Sequence, residues 1–517
     1  MTARPIRLLR SFLTVGGWTM ASRLLGFVRD IAIAAALGAG PAAQAFVIAF
    51  ALPNMFRRFF AEGAFNMAFV PMFARRVEAG EDANGFAEQA MSLLASLLIL
   101  LTLAALAGMP WLVLAMAGGF GDEPEKFALT VSMARVMFPY ILLISLAALF
   151  SGMLNAVGRF VAAAAAPVAL NVILVVGLGL ASATGGAPEA WITWLVLIAG
   201  VVQMGLLFVS VRRAGFPLSP RLPRITPEMR RLARVAVPAA LAGGVVQVNL
   251  LVGRQVASFF DGAVAWLYYA DRLYQLPLGV VGVAIGIVLL PELSRRLQAG
   301  DMVQAREAVN RSTEFSLALT LPAALALIVV PLSIVSVLFE RGAFTGEDAR
   351  ATALAVAIYG VGLPAFVMQK VLSPVFFARE DTRSPFRYAL VAMVVNAVIA
   401  IGLAPFIGYL SAAVATTAAG WVNMALLWRG AKAYGDAATP DAALMRRLPR
   451  LLLSAVVMAA VLLGLAEALG PALHDGALRY AALAGLVLAG MAAYAAACAL
   501  TGAVTRAELR AALRRGR

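Results

Sequence analysis

Fourteen stretches of mostly apolar residues follow one another along the chain. They lie near 12–36, 45–74, 88–117, 127–154, 160–183, 190–211, 235–259, 264–294, 312–338, 351–378, 386–407, 409–431, 451–470 and 479–501. A helix needs about 20 such residues to cross the hydrocarbon core of a bilayer. The pattern therefore predicts an all-α polytopic membrane protein with fourteen transmembrane helices. Composition agrees: of 517 residues, 62% are hydrophobic and 13% charged, with mean hydropathy +0.88, whereas soluble domains carry about 25% charged residues. One cysteine (Cys498) and one histidine (His474) leave no internal disulfide, no zinc site and no Ser/His/Asp triad. No metal is expected. The N-terminus has no short apolar core with a cleavage site, so the first run reads as a retained helix.

Charge fixes the expected orientation. With the N-terminus inside, the cytoplasmic segments hold thirty Lys or Arg residues, seven of them between Arg212 and Arg234. The opposite face holds four: Lys126, Arg341, Arg350 and Arg479. This asymmetry is the positive-inside pattern, and it places both termini in the cytoplasm. It also accounts for the net charge of +15 without nucleic acid as a partner. The basic tail from Arg506 to Arg517 reads as an anchor on anionic lipid.

An internal repeat divides the runs. Pro71–Gly80 (PMFARRVEAG) returns as Pro291–Gly300 (PELSRRLQAG), five of ten positions identical at an offset of 220. Asn171-Val-Ile-Leu-Val-Val-Gly-Leu178 is echoed by Asn396-Ala-Val-Ile-Ala-Ile-Gly-Leu403 at an offset of 225. Six spans per half make the repeats parallel, and such halves bracket a cavity and rock against each other. The expected organisation is an N-lobe over 1–220, a C-lobe over 221–440, and a C-terminal helix pair with its basic tail over 441–517.

Cations inside the runs include Arg23, Arg29, Arg57, Arg58, Arg135, Arg254, Arg272 and Lys370. Acids there include Asp30, Glu62, Asp271 and Glu292. Charges at membrane depth are costly and usually face a cavity or a partner. The surplus is positive, so a central cavity lined by these runs would be cationic. It would suit an anion, and Arg offers the paired donors that match phosphate. On the first run, Ser22, Arg23, Arg29 and Asp30 flank Gly26, which would allow close backbone or ligand approach. On the second, Asn54, Arg58, Glu62 and Asn66 form a stripe at helical spacing beside Arg57, and Pro53 predicts a helix break. Arg58–Glu62 reads equally as an intrahelical ion pair at a gate. On the eighth, Asp271 adjoins Arg272 after Tyr268 and Tyr269, which read as interfacial or core aromatics. Lys370 on the tenth is a gate candidate, and Asn171 and Asn396 read as interhelical amides.

Ser22-Arg-Leu-Leu-Gly-Phe-Val-Arg-Asp30 and Leu52-Pro-Asn-Met-Phe-Arg-Arg-Phe-Phe-Ala-Glu-Gly-Ala-Phe65 closely resemble the MurJ/MviN family. Tyr268-Tyr-Ala-Asp-Arg272, Glu340-Arg-Gly-Ala-Phe344 and Ala378-Arg-Glu-Asp-Thr-Arg383 fit the same family, and the similarity runs from about residue 8 to about 505. The resemblance implies a lipid II flippase of the bacterial inner membrane, in the multidrug/oligosaccharidyl-lipid/polysaccharide exporter superfamily. It implies two six-helix lobes and a terminal pair whose groove takes the undecaprenyl tail. Essential cavity arginines of the family carry over to Arg23, Arg29 and Arg272, with Ser22, Asp30 and Arg57 in the matching motifs. The chain departs from the family at Gln44, Ala51 and Gln275, where many members have Asp, Lys and an acid.

The expectation is alternating-access translocation of lipid II for cell-wall synthesis. Ser22, Arg23, Arg29, Asp30, Arg57 and Arg272 would bind substrate. Asn54, Arg58, Glu62, Asp271 and Lys370 would form gates or structural pairs. Transport rather than catalysis is expected, with no cofactor, and with coupling to the membrane potential or a monovalent cation. Membrane lipids and cell-wall synthesis proteins are the expected further partners. The alternatives are a flippase for another polyprenyl-pyrophosphate-linked glycan and a multidrug/cation antiporter of the same superfamily. An antiporter would call for a cavity with net acid.

Overall fold

The computed structural model describes residues 5–57, 66–474 and 476–503. It is helical throughout, with no strand among the described residues. The chain divides into two compact units: residues 1–265 with Arg341–Phe344, and 266–340 with 345–517.

The first unit holds α1 (Pro5–Leu37), α2 (Pro41–Arg57), α3 (Asn66–Ala79), α4 (Ala83–Ala107), α5 (Met109–Met116), α6 (Pro124–Met137), α7 (Tyr140–Ala156), α8 (Phe160–Thr184), α9 (Pro188–Arg213) and α10 (Pro227–Ala257). Within it α8 packs between α1 and α9, α2 lies on α6, and α7 lies on α9. The second unit holds nearly all of α11 (Ala263–Gln298), then α12 (Met302–Val329), α13 (Pro331–Phe339), α14 (Gly346–Phe377), α15 (Arg383–Ile407), α16 (Leu410–Ala431), α17 (Ala442–Ala468), α18 (Gly470–His474) and α19 (Arg479–Thr501). There α16 packs between α14 and α15, α12 on α14, and α17 between α12 and α19.

Among the described residues, each of the fourteen apolar runs falls on a helix or a helix pair. Ten helical segments among the described residues are long and apolar enough to cross a membrane. Helical backbone is required there, because hydrocarbon offers no partner to an open N–H or C=O. Side chains such as Leu100, Val176, Val398 and Leu488 are exposed along these helices, as lipid-facing positions should be. Local chemistry sets the ends. Asp82, Asp301 and Asp441 accept from backbone N–H groups three residues on, and Thr345 with Asp348 forms a capping box.

Three runs read as single spans are interrupted. The third changes at Gly108, the fourth at Phe138–Pro139, and the ninth at Val330 before Pro331. Proline at a helix start is benign because its missing N–H would be unpaired anyway. The break expected at Pro53 is absent: α2 runs through it to Arg57. Pro53 is buried, and Asn54 Nδ2 donates to the Phe50 carbonyl at 2.8 Å, which keeps this part of the helix hydrogen-bonded.

The sequence repeat cuts the chain at 220, whereas α10 sits with the first unit. Two glycine-based clasps underlie this. In the turn after α5, the N–H of Gly118 donates to Gln255 Oε1 at 2.9 Å and that of Gly119 to Ser258 Oγ at 3.0 Å. A β-carbon on Gly119 would run into the Ser258 backbone. The second clasp seats Arg341–Phe344 on the end of α1, where Ala343 N donates to the Ala35 carbonyl at 2.9 Å. Gly38 and Gly342 have φ of +63° and +57°, and a β-carbon on either would strike the other segment's backbone.

The terminal helices are part of the second unit. Met458 and Leu462 of α17 and Leu486 of α19 share an apolar cluster with Val330. Glu314 on α12 pairs with Arg311 and with Arg447 of α17, and Arg311 reaches Asp441 at 2.5 Å.

Candidate functional site

Within the first unit, α1 and α8 build a polar cluster at membrane depth. Arg29 donates through Nε and Nη2 to Asp30 Oδ1, at 3.0 and 2.7 Å. Its Nη1 donates to Asn171 Oδ1 at 3.0 Å. Asn171 Nδ2 in turn donates to the Ser22 carbonyl at 3.0 Å. Asp30 and Asn171 are both buried. Asn171 thus fastens two turns of α1 to α8 and fixes the plane of the Arg29 guanidinium. Gly26 faces the same amide, with room for a β-carbon 3.6 Å from Asn171 Nδ2. Arg23 is exposed, with no hydrogen-bond or ion-pair partner among the described residues.

Arg57 is half-buried at the end of the described part of α2. Arg58 and Glu62 lie outside the described residues. Asn66 makes only a 3.5 Å contact from Nδ2 to the Ala148 carbonyl.

In the second unit, Arg272 of α11 lies over the ring of Tyr268, one turn earlier, at 4.6 Å. A guanidinium over a tyrosine face is attracted by the ring's electron-rich centre. Tyr268 stands edge-on to Tyr269 at 5.5 Å, and Tyr269 is fully buried. Asp271 accepts from Gln275 on the same helix. Lys370 of α14 is exposed, while its neighbour Gln369 donates to the Gly420 carbonyl and accepts from Asn423, both at 2.9 Å, tying α14 to α16.

Sequence reasoning missed a second cluster in the first unit. Lys126, expected in a surface connection, has a side chain only 2% exposed. It pairs with Glu123 at 2.5 Å and Asp261 at 3.4 Å, above the Phe120 ring. Buried Gln44 donates to Asp261 at 3.0 Å. Gln44 above all, and then Lys126, hold the exposed Asp261 carboxyl below its usual range. The one signal in the sequence was the Glu123–Lys126 spacing of three.

Among the described residues, no group of three or more His, Cys, Asp or Glu could hold a metal ion. What the arrangement offers is fixed and exposed guanidinium groups, suited to binding an anion rather than to covalent chemistry.

Comparison with known proteins agrees with this chemistry. Residues 33–477 match the family model described as lipid II flippase MurJ. A Rhizobium tropici protein named "Probable lipid II flippase MurJ" is 46% identical over 519 residues, covering 99% of this chain and 97% of its own. A Burkholderia cenocepacia "Lipid II flippase MurJ" is 34% identical, covering 83% and 85%. A solved structure titled lipid II flippase MurJ, inward closed conformation, shares the fold at TM-score 0.78 and 23% identity, covering 94% of this chain and 98% of that one. An inward-facing multidrug resistance transporter of the MATE family shares it at TM-score 0.67 and 15% identity, covering 82% and 98%.

Proposed function

The chain belongs to the lipid II flippase MurJ family, and from that premise we propose that it carries lipid II from the inner to the outer leaflet of a bacterial inner membrane by alternating access. The observation that carries the reading is the α1–α8 cluster, with Arg29 locked by Asp30 and Asn171 and Arg23 left exposed on the same helix. The locked Arg29 guanidinium loses little freedom on binding, and a second, exposed guanidinium on the same helix suits a pyrophosphate. Arg57 and Arg272 are assigned to substrate binding as well. Ser22 lies beside the clamp, and Asp30 orients it. Asn54, Asp271 and Lys370, with Arg58 and Glu62, act as gates or structural pairs.

The polyprenyl tail stays in lipid beside α17 and α19. Two six-span lobes rock to expose the headgroup outside. An inside-negative potential favours this direction for an anion, by about 2.3 kcal/mol per charge per 100 mV, and draws the emptied cationic site back. No cofactor enters the cycle. The positive-inside bias supports placing both termini in the cytoplasm. Cell-wall synthesis proteins that use the delivered precursor are its natural neighbours.

The test is lipid II headgroup exposure on the outer face of cells depleted of this protein. They are re-supplied with wild type, Arg23→Ala, Arg29→Ala or Arg272→Ala at matched membrane levels. Exposure should collapse on depletion and return only with wild type. Unchanged exposure on depletion would defeat the function, and rescue by all three variants would defeat the site.

A further inference from the structure

The connection between α9 and α10 does not hang free. Leu218 is buried, and Phe216 packs on Phe73 at 5.2 Å. Ser219 N donates to Glu88 Oε1 at 2.9 Å, and Arg221 N donates to Ser92 Oγ at 3.2 Å. Arg221 Nε also pairs with Glu88 Oε2 at 2.6 Å. Glu88 and Ser92 are five and nine residues inside α4, which begins at Ala83. At 1.5 Å per residue that is roughly 7 and 14 Å along the helix axis. The strap is therefore held at the level where the third apolar run begins.

The strap turns two apolar side chains outward. Leu222 is 84% exposed and Ile225 is 70% exposed, outside any apolar run. Arg221, Arg224, Arg230, Arg231 and Arg234 flank them in the sequence, all exposed. Arg230 and Arg231 stand in the opening turns of α10, whose positive end they reinforce instead of offsetting. The only acid from 212 to 235 is Glu228, and it lies 3.7 Å from Arg76. A fixed segment with exposed apolar tips and flanking exposed cations matches one surface: anionic headgroups above hydrocarbon.

We propose that residues 219–235 dock on an anionic phospholipid surface, with Leu222 and Ile225 entering the interface and the arginines engaging phosphate. The orientation proposed above makes this the inner leaflet. The surface is distinct from the substrate clamp and needs no transport to operate.

The test uses the full chain in proteoliposomes, with Leu222→Cys or Ile225→Cys carrying an environment-sensitive fluorophore. The native Cys498 is buried and adds little background. Quenching by headgroup-level spin-labelled lipid is compared in pure phosphatidylcholine and in vesicles with one-quarter phosphatidylglycerol, which carry the anion in both leaflets. Quenching should rise several-fold with phosphatidylglycerol. The rise should vanish when Arg224, Arg230, Arg231 and Arg234 are all replaced by Gln. Equal quenching in both vesicles, or none in either, would overturn the proposal; the second outcome would mark the patch as water-facing and fit for an acidic protein. Neither readout depends on flipping, so failure here leaves the transport reading standing.

Discussion

At the scale of single residues, the α1–α8 clamp turns on one amide: Asn171 accepts from Arg29 and donates to the Ser22 carbonyl, both at 3.0 Å. The Arg29–Asp30 pair was visible as neighbours, and the structure makes it a 2.7 Å ion pair. That Asn171 completes the clamp could not be read, because nothing local links residues 142 apart. Lys126 shows the same gap. Hydropathy and the positive-inside count place it in a connection, while tertiary packing closes over it. The Asp261 carboxylate beside it gives a pH dependence with a definite sign. Its folded pKa is lowered, so its stabilisation is present above the unfolded value of about 3.9. That stabilisation is lost as pH falls through the lower folded value. Thermal unfolding of the purified protein should therefore weaken more steeply below about pH 4 in wild type than in Asp261→Asn. Parallel acid limbs would show that the Gln44–Asp261–Lys126 contact does not contribute.

Helices were the most legible level. Twenty-residue apolar runs have few alternatives in a bilayer, and the described part of each run lies on helix. Where they break depends on the position of a proline within a turn, which periodicity does not show. Pro331 opens α13, while Pro53 passes inside α2. Glycines differ as much. Gly342 has a positive φ and is pressed against the Ala35 carbonyl, so Gly342→Ala should cost more than about 1 kcal/mol. Gly26, singled out in the sequence for close approach, has ordinary room for a methyl group beside Asn171. Gly26→Ala should be neutral or stabilising by up to about 1 kcal/mol, since alanine favours helix. Thermal melts of the two variants in detergent decide between them; equal losses would remove the distinction.

At the scale of the whole molecule, the repeat in the sequence puts α10 in the second half, whereas the compact units group it with the first. That depends on contacts between segments more than a hundred residues apart, such as Gly119 with Ser258. The charge asymmetry makes a prediction at this scale. An exported phosphatase fused after Gly476 should be active, and one fused after Gly435 inactive, in whole-cell assays; the reverse pattern would invert the orientation. The two glycine clasps carry a further consequence. Gly118 and Gly119 precede Gly342 by between 220 and 225 positions, as Ala35 precedes Gln255, so the clasps are counterparts under the repeat. Each takes its turn from one sequence half and its seat from the other half's first helix. Because the exchange is reciprocal, neither sequence half carries both a turn and its own seat, and the peptide link between the halves holds the partners at high effective concentration.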